Sequence, residues 1–211
     1  MALERRRTPE TVLLMLWVAA AIYYGAKSLE PREDMDDLDL LPIPNMPSEL
    51  PGVPNFRRVT DDLLRGGQPT ATGFRALKAI GVKTIVNVRH YHSDRWMIEP
   101  IGGLDYERMS IKSWSLYGGH VMRFLEVVTD KSRTPVFLHC HDGVGRTGVL
   151  CAMYRIVVCG WSREEAIREM REAGPWEDRW FNKMLSRMEE MDPVQMRRAL
   201  GLPEQIARRV P

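Results

Sequence analysis

Cysteine is scarce in this chain of 211 residues, and its three cysteines form no CxxC pair. An odd count without such pairs argues against both a disulfide framework and a structural zinc site. Histidines flank one of the cysteines on both sides, but three adjacent ligands suit a tetrahedral metal site poorly. The formal net charge of +2 lacks the clustered basic excess that nucleic-acid-binding domains show. We therefore expect no metal, no cofactor and no nucleic-acid partner.

The first 28 residues carry the pattern of a membrane signal. Three arginines, Arg5 to Arg7, precede an uncharged apolar segment of sixteen residues, Thr11 to Ala26. This length falls just short of the roughly 17–25 residues of a spanning helix and just beyond the roughly 7–15 of a signal-peptide core. It favours an uncleaved transmembrane anchor, with a cleaved signal sequence as the alternative. The arginines predict a cytoplasmic N-terminus and an extracytoplasmic remainder, or a secreted or periplasmic protein after cleavage.

Residues 29–55 combine many acidic side chains with many prolines. Such a composition buries little apolar surface and favours extended chain, so we expect a linker here.

Residues 56–211 have the pattern of one α/β domain. Strand patterns cover residues 57–65 (two short strands), 82–88, 106–111 (an edge strand) and 135–139, and helical patterns cover residues 70–80, 120–129, 147–159 and 162–173, with two more helices starting near residues 175 and 193. Strands that alternate with helices predict a central, mostly parallel sheet of four or five strands with helices on both faces.

A loop between a buried strand and a helix has the features of a phosphate-binding site. It reads HCHDGVGRT from His139 to Thr147. Successive N–H groups of such a loop can converge on phosphate oxygens, and the helix N-terminus adds positive potential. Gly143 and Gly145 allow positive φ angles and close approach of the backbone, and Arg146 can hold two oxygens in one plane. The expected phosphate-binding residues are His141, Asp142, Gly143, Val144, Gly145 and Arg146.

Cys140 is the predicted nucleophile of this site. The helix N-terminus and the arginine stabilise its thiolate, which can attack phosphorus and form a phosphocysteine that water then cleaves. We expect His139 to shape the loop through hydrogen bonds, and the Thr147 hydroxyl to assist release of the thiolate. The expected catalytic residues are Cys140, Arg146, Asp142, Thr147 and His139.

The pattern H-C-x-x-G-x-x-R-[S/T] from His139 to Thr147 resembles the signature of protein-tyrosine and dual-specificity phosphatases. The region from Phe56 to about Met170 is also similar to small dual-specificity phosphatases, notably in the passages LLRGGQPT and KAIGVKTIVNVR. The resemblance implies a single phosphatase domain that hydrolyses phosphomonoesters through a phosphocysteine intermediate.

The chain departs from this family at the general acid. The family takes it from an aspartate on the loop before the helix that precedes the catalytic strand. Here that loop is expected at Lys112 to Gly119, which contains no carboxylate. Asp142 is the first candidate, because myotubularin-type phosphatases carry an aspartate at the matching place, although it could equally be a loop-stabilising side chain. Asp105 is the second candidate.

The loop also bears on the substrate. A negative charge at Asp142 disfavours polyanionic headgroups, so we expect a phosphorylated protein or a small phosphomonoester as substrate. A phosphoinositide or other lipid-phosphate phosphatase is the alternative enzyme. A catalytically weak module that binds phosphorylated residues is the alternative of another class, because the acid is missing from its usual loop.

Overall fold

The computed structural model describes residues 48–112, 115–174 and 178–203. The predicted membrane segment and most of the predicted linker lie outside these residues. Within the described ranges, no helix combines the length and the apolar composition needed to cross a membrane.

Five strands form one sheet in the order β1-β2-β5-β3-β4. They are β1 (Arg57–Arg58), β2 (Leu63–Gly66), β3 (Thr84–Arg89), β4 (Asp105–Ile111) and β5 (Val136–His139). β1 runs antiparallel to β2, and the other neighbouring strands are parallel. The predicted mostly parallel sheet is confirmed, β4 is the predicted edge strand, and β5 lies at the centre.

Seven helices occur among the described residues; six lie close to predicted positions, and the short one at residues 95–98 was not predicted. They are α1 (Ala71–Ala79), α2 (Arg95–Ile98), α3 (Gly118–Thr129), α4 (Gly145–Val157), α5 (Arg163–Glu172), α6 (Asp178–Glu189) and α7 (Pro193–Ala199). Local sequence explains several of their starts. Ser162 and Glu165 cap α5 reciprocally, and Asp192 accepts hydrogen bonds from the first amides of α7.

Helices cover the sheet on both faces, as the alternation within its strands requires. Val86 and Leu138 face a cluster that includes Phe124, whereas Ile85 and Phe137 face a second cluster that includes Phe74. Successive strand residues point to opposite faces, so neighbours in β3 and β5 divide between the two clusters. The sheet is therefore buried on both sides, and polar groups can gather only at its ends.

The packed domain extends upstream of its expected start at Phe56. Leu50 and Val53 are buried in the second cluster, and their backbones form a bridge. Gly52 lies against Gly73 so closely that a Cβ on Gly73 would be 2.2 Å from the Gly52 carbonyl oxygen. Residues 50–55, assigned above to the linker, are therefore part of the globular unit. The short apolar stretch between the prolines was too brief to show this by periodicity.

Candidate active site

The predicted phosphate loop follows the central strand β5 and enters α4 at Gly145. β5 has a parallel neighbour on each side, so the loop lies at the carboxyl edge of the sheet. Cys140 stands at the start of the loop and is only 3% exposed. Ligands of open α/β sheets bind at this edge, which makes it the natural place for a nucleophile.

Four consecutive carbonyl oxygens of the loop accept hydrogen bonds from groups beside it. The Cys140 oxygen lies 3.1 Å from His139 Nδ1, and the His141 oxygen accepts from the Gln68 amide at 2.8 Å. The Asp142 oxygen accepts from Asn55 Nδ2 at 3.3 Å, and the Gly143 oxygen accepts from Arg65 Nη2.

These bonds decide where the loop amides point. In a trans peptide unit the carbonyl and the N–H point in opposite directions. The amides of residues 141–144 share peptide units with the four bound oxygens, so they point away from the flanking groups and into the loop. An inward ring of N–H groups is the arrangement that binds an oxyanion.

Gly143 is the position in this loop where glycine is required. Its φ is +77°, and a Cβ there would lie 2.5 Å from the carbonyl carbon of Gly66. Gly67 in turn faces the His141 oxygen, which a Cβ would approach to 2.9 Å. The expectation for Gly143 is confirmed, and the Gly66-Gly67 pair explains why the chain can pass so close. Gly145 starts α4 without a positive φ, and no described atom lies within 4 Å of its Cβ position. Its expected role, the close approach of the backbone to a bound ligand, stays a prediction.

Arg146 is held over the same edge of the sheet. Its Nη1 donates to the Val88 oxygen at 3.3 Å and to the Ile111 oxygen at 3.2 Å, near the carboxyl ends of β3 and β4. Among the described residues these are its hydrogen bonds. The remaining nitrogens of the planar guanidinium can therefore serve two phosphate oxygens.

Thr147 follows in the first turn of α4 and is fully buried. Its hydroxyl has no hydrogen-bond partner among the described residues. A buried, unsatisfied hydroxyl is costly, so it calls for a partner. The structure shows no hydrogen bond between Thr147 and Cys140, and the expected role in releasing the thiolate stays a prediction.

The two candidate acids lie at opposite ends of the sheet. Asp142 has a side chain that is 74% exposed, and its Oδ1 contacts His141 Nδ1. Asp105 starts β4 and pairs with Thr84, so it lies at the amino edge. The seven residues of β4 put about 20 Å between it and the phosphate loop. The structure thus removes Asp105, and the described part of the loop from Lys112 to Gly119 contains no carboxylate.

Sequence reasoning missed a buried carboxylate at this edge, Asp94, between β3 and α2. Its Oδ2 lies 3.0 Å from His139 Nε2, and its Oδ1 accepts from Gln68 Nε2 at 2.7 Å. Burial favours the neutral carboxyl, but the contacts with His139 and Gln68 outweigh burial and lower the pKa of Asp94. An already low pKa makes it an acceptor at neutral pH. It therefore cannot be the missing proton donor.

Arg65 and Asn55 were missed as well. Only 3% of Arg65 is exposed, although this charged residue lies in the apolar strand β2. A charged residue inside an apolar strand was the available signal, because buried arginines need a partner. Asn55 gave no such signal, since it lay in a segment assigned to the linker.

A family model described as "DSP-PTPase phosphatase fused to NAD+ Kinase" matches residues 50–184. The chain belongs to this DSP-PTPase family. The match begins at Leu50, which is buried in the second cluster. It includes the whole phosphate loop and every group that binds its carbonyl oxygens.

Two curated relatives illustrate the family. The dual specificity protein phosphatase TpbA of Pseudomonas aeruginosa is 31% identical over 121 residues, which cover 57% of this chain and 55% of TpbA. The inositol diphosphatase DSP3 of Arabidopsis thaliana is 25% identical over 157 residues, covering 69% of this chain and 74% of DSP3. The chain thus spans about half the length of TpbA.

Solved structures share the fold. The crystal structure of P. aeruginosa TpbA superposes with a TM-score of 0.63 at 26% identity, covering 72% of this chain and 92% of that one. A cysteine-to-serine variant of TpbA in complex with phosphotyrosine gives a TM-score of 0.62 at 26% identity, covering 70% of this chain and 90% of that one.

Proposed function

We propose that this protein is a cysteine-dependent phosphomonoester hydrolase of the protein-tyrosine/dual-specificity type. One observation carries the proposal: four successive carbonyl oxygens are bound from outside, so the amides of the loop face inward beside Cys140. Arg146 completes this ring from the carboxyl ends of β3 and β4. Such preorganised donors stabilise the charge of a transferring phosphoryl group.

The proposed reaction has two steps. In the first, the Cys140 thiolate attacks phosphorus, the S–P bond forms, and the ester P–O bond breaks as the leaving oxygen gains a proton. In the second, a water oxygen bonds to phosphorus and the S–P bond breaks, which releases inorganic phosphate and restores the thiolate. The loop amides and Arg146 hold the phosphoryl oxygens throughout, and the Thr147 hydroxyl donates to the departing sulfur.

Asp142 is the proposed general acid. It lies within the phosphate loop, and its carboxylate is exposed. Its backbone carbonyl oxygen accepts a hydrogen bond from Asn55, which fixes the residue in place. A proton donor is needed chiefly when the leaving group is a poor one. Good leaving groups should therefore be cleaved whether or not Asp142 can donate.

The proposed substrate is a singly phosphorylated, phosphotyrosine-like group. The variable loop positions carry no lysine, and the negative charge of Asp142 disfavours a second phosphate. The phosphotyrosine complex of TpbA, a relative at 26% identity, points the same way.

A polyphosphate substrate is the second candidate. The inositol diphosphatase DSP3 is a relative at 25% identity, and Lys112 stands exposed just after Ile111, whose oxygen holds Arg146. An exposed lysine beside the loop could bind an additional phosphate.

The test measures turnover by the purified chain of p-nitrophenyl phosphate, a phosphotyrosine peptide and an inositol polyphosphate, with Cys140→Ser alongside. We expect hydrolysis of the first two, a loss of at least about 10⁴-fold in the serine variant, and little activity on the third. Preference for the inositol polyphosphate would favour the second candidate. Binding of the phosphopeptide without turnover would identify a binding module instead.

We propose further that residues 1–28 anchor the protein in a membrane, with the catalytic domain outside the cytoplasm. The sixteen-residue apolar segment and the arginines before it support this. Expression of the chain with a C-terminal tag, followed by fractionation, should place a full-length band in the membrane pellet. A shortened band in the soluble fraction would indicate a cleaved signal sequence.

A further inference from the structure

Asp94 occupies the N-cap position of α2 but does not cap that helix. An aspartate at an N-cap ordinarily accepts a hydrogen bond from the first helical amides. Here the side chain turns inward and is completely buried. A buried carboxylate is costly unless several donors satisfy it, so its surroundings must provide them.

Two amide donors and one histidine, from three parts of the sheet edge, surround this carboxylate. Its Oδ2 accepts from Asn87 Nδ2 at 2.6 Å and lies 3.0 Å from His139 Nε2. Its Oδ1 accepts from Gln68 Nε2 at 2.7 Å. On the backbone, the Asp94 amide donates to the Tyr106 hydroxyl at 2.9 Å, which fixes the residue to β4.

His139 and Gln68 also hold the phosphate loop. His139 contacts the Cys140 oxygen through its other ring nitrogen, and Gln68 donates to the His141 oxygen through its backbone amide. One carboxylate therefore orients the two residues that fix the first two carbonyl oxygens of the loop. Those oxygens determine the direction of the two amides nearest the nucleophile.

We propose that Asp94 is a positioning residue of the phosphate loop, which acts on oxyanion binding and on Cys140 through His139 and Gln68. The inference deepens the proposed function and rests on it. The carboxylate contacts Asn87, His92, Gln68 and His139, and it reaches the phosphate loop through the last two. The contacts that lower the pKa of Asp94 agree with this role, because they favour the ionised carboxylate, which accepts hydrogen bonds.

Asp94→Asn is the primary test, since it keeps the shape of the side chain but places an NH₂ group opposite donors. Tungstate, a phosphate mimic, is titrated into the full chain by calorimetry, and the rate at which iodoacetate alkylates Cys140 is measured. We expect tungstate affinity to fall about tenfold and alkylation to slow. Asp130→Asn is the matched control: Asp130 also accepts hydrogen bonds, from Ser132, and lies beyond the end of α3. It should change neither value.

A double-mutant cycle separates positioning from general loss of structure. If Asp94 acts through His139, Asp94→Asn should cost clearly less in a His139→Asn background than in the wild type. Full additivity, or unchanged tungstate affinity in a folded Asp94→Asn protein, would overturn the proposal. Tungstate binding does not require turnover, so an inactive wild type that still binds tungstate refutes the proposed function and leaves this test intact.

Tyr106→Phe decides the matter if Asp94→Asn does not fold. It removes only the hydroxyl that binds the Asp94 amide and approaches Asn87 Nδ2 at 3.2 Å. We expect it to weaken tungstate binding about threefold in the folded protein. Wild-type affinity in this variant would count against a positioning network around Asp94.

Discussion

Two loops border the carboxyl edge of the sheet, and they are built on different principles. The phosphate loop, residues 140–146, has four successive carbonyl oxygens bound by groups that flank it, one from the adjacent His139 and three from segments distant in sequence. In the loop between β4 and α3, the Ser115 amide donates to the Lys112 oxygen at 3.0 Å. Its described residues provide no carboxylate. The two loops therefore differ in what they offer a phosphoester: inward amides in the first, and no carboxylic acid in the described part of the second.

The difference reflects two separate chemical tasks. Phosphate binding needs several amides in one fixed geometry, and small displacements are costly. Leaving-group protonation needs a single donor within reach of one oxygen, and different segments can supply it. Under the proposed function, Cys140, Arg146 and the loop amides perform the first task, and the second falls to Asp142, outside the loop that the family ordinarily uses. The predictions below test this division.

The largest effect should come from Asp142→Asn on poor leaving groups. If Asp142 protonates the leaving oxygen, its loss should slow hydrolysis of an alkyl phosphate roughly 100- to 1,000-fold. p-Nitrophenyl phosphate, whose leaving group needs little protonation, should lose less than about threefold. The measurement is kcat/KM for both substrates at several pH values.

Equal losses on the two substrates would remove Asp142 as the acid and leave it as a loop residue. The control is Asp130→Asn, which removes an exposed aspartate far from the loop and should leave both rates unchanged. The general acid of the reaction would then have to come from a third segment.

Gly143→Ala should disable the loop by a different route. A Cβ at this position meets the backbone of Gly66 and Gly67 at 2.5–2.6 Å, and backbone cannot move aside cheaply. We expect a loss of roughly 100-fold in kcat/KM for p-nitrophenyl phosphate, because the displaced amides no longer fit the phosphoryl oxygens. The free energy of unfolding should fall by more than the about 1–2 kcal/mol of a left-handed alanine.

Gly81→Ala is the matched control for this prediction. Gly81 also has a positive φ, +91°, but nothing lies within 4 Å of its Cβ position. Urea denaturation should show a loss of about 1–2 kcal/mol from conformation alone, with unchanged activity. If both variants lose the same stability and Gly143→Ala stays active, the loop tolerates movement and is not fixed from outside.

The parts of this architecture that were predictable from sequence share a local signal. Strand alternation and capping residues placed the elements, and the H-C-x-x-G-x-x-R-[S/T] pattern located the nucleophile and Arg146. Gly143 was predictable because a tight loop before a helix requires it. The backbone conformation of Gly145 was not predictable. In the sequence it looked equivalent to Gly143, but it already belongs to α4.

Three of the four supports bind oxygens that are distant in sequence, so the sequence could not pair them, whereas His139 is adjacent to Cys140 and its role in shaping the loop was predicted. Arg65 and Gly143 are 78 positions apart, and Asn55 and Asp142 are 87 apart. Asp94 precedes a short helix that no sequence pattern predicted, and only the fold turns its side chain toward His139. Pairings of this kind follow from the order of the strands, which one sequence does not reveal.

Arg65→Met carries the smallest expected effect and separates binding of one oxygen from the rest of the loop. Methionine keeps much of the apolar stem, but the Gly143 oxygen loses its donor. Because Arg65 holds only one of the four oxygens, we expect phosphate inhibition of p-nitrophenyl phosphate hydrolysis to weaken about tenfold, with a smaller change in kcat. Arg75→Met, at an exposed position on α1, is the control and should behave like the wild type. Unchanged phosphate inhibition in a folded Arg65→Met protein would mean that the other three contacts suffice to orient the amides. The hydrogen bond from Arg65 to the Gly143 oxygen would then be redundant.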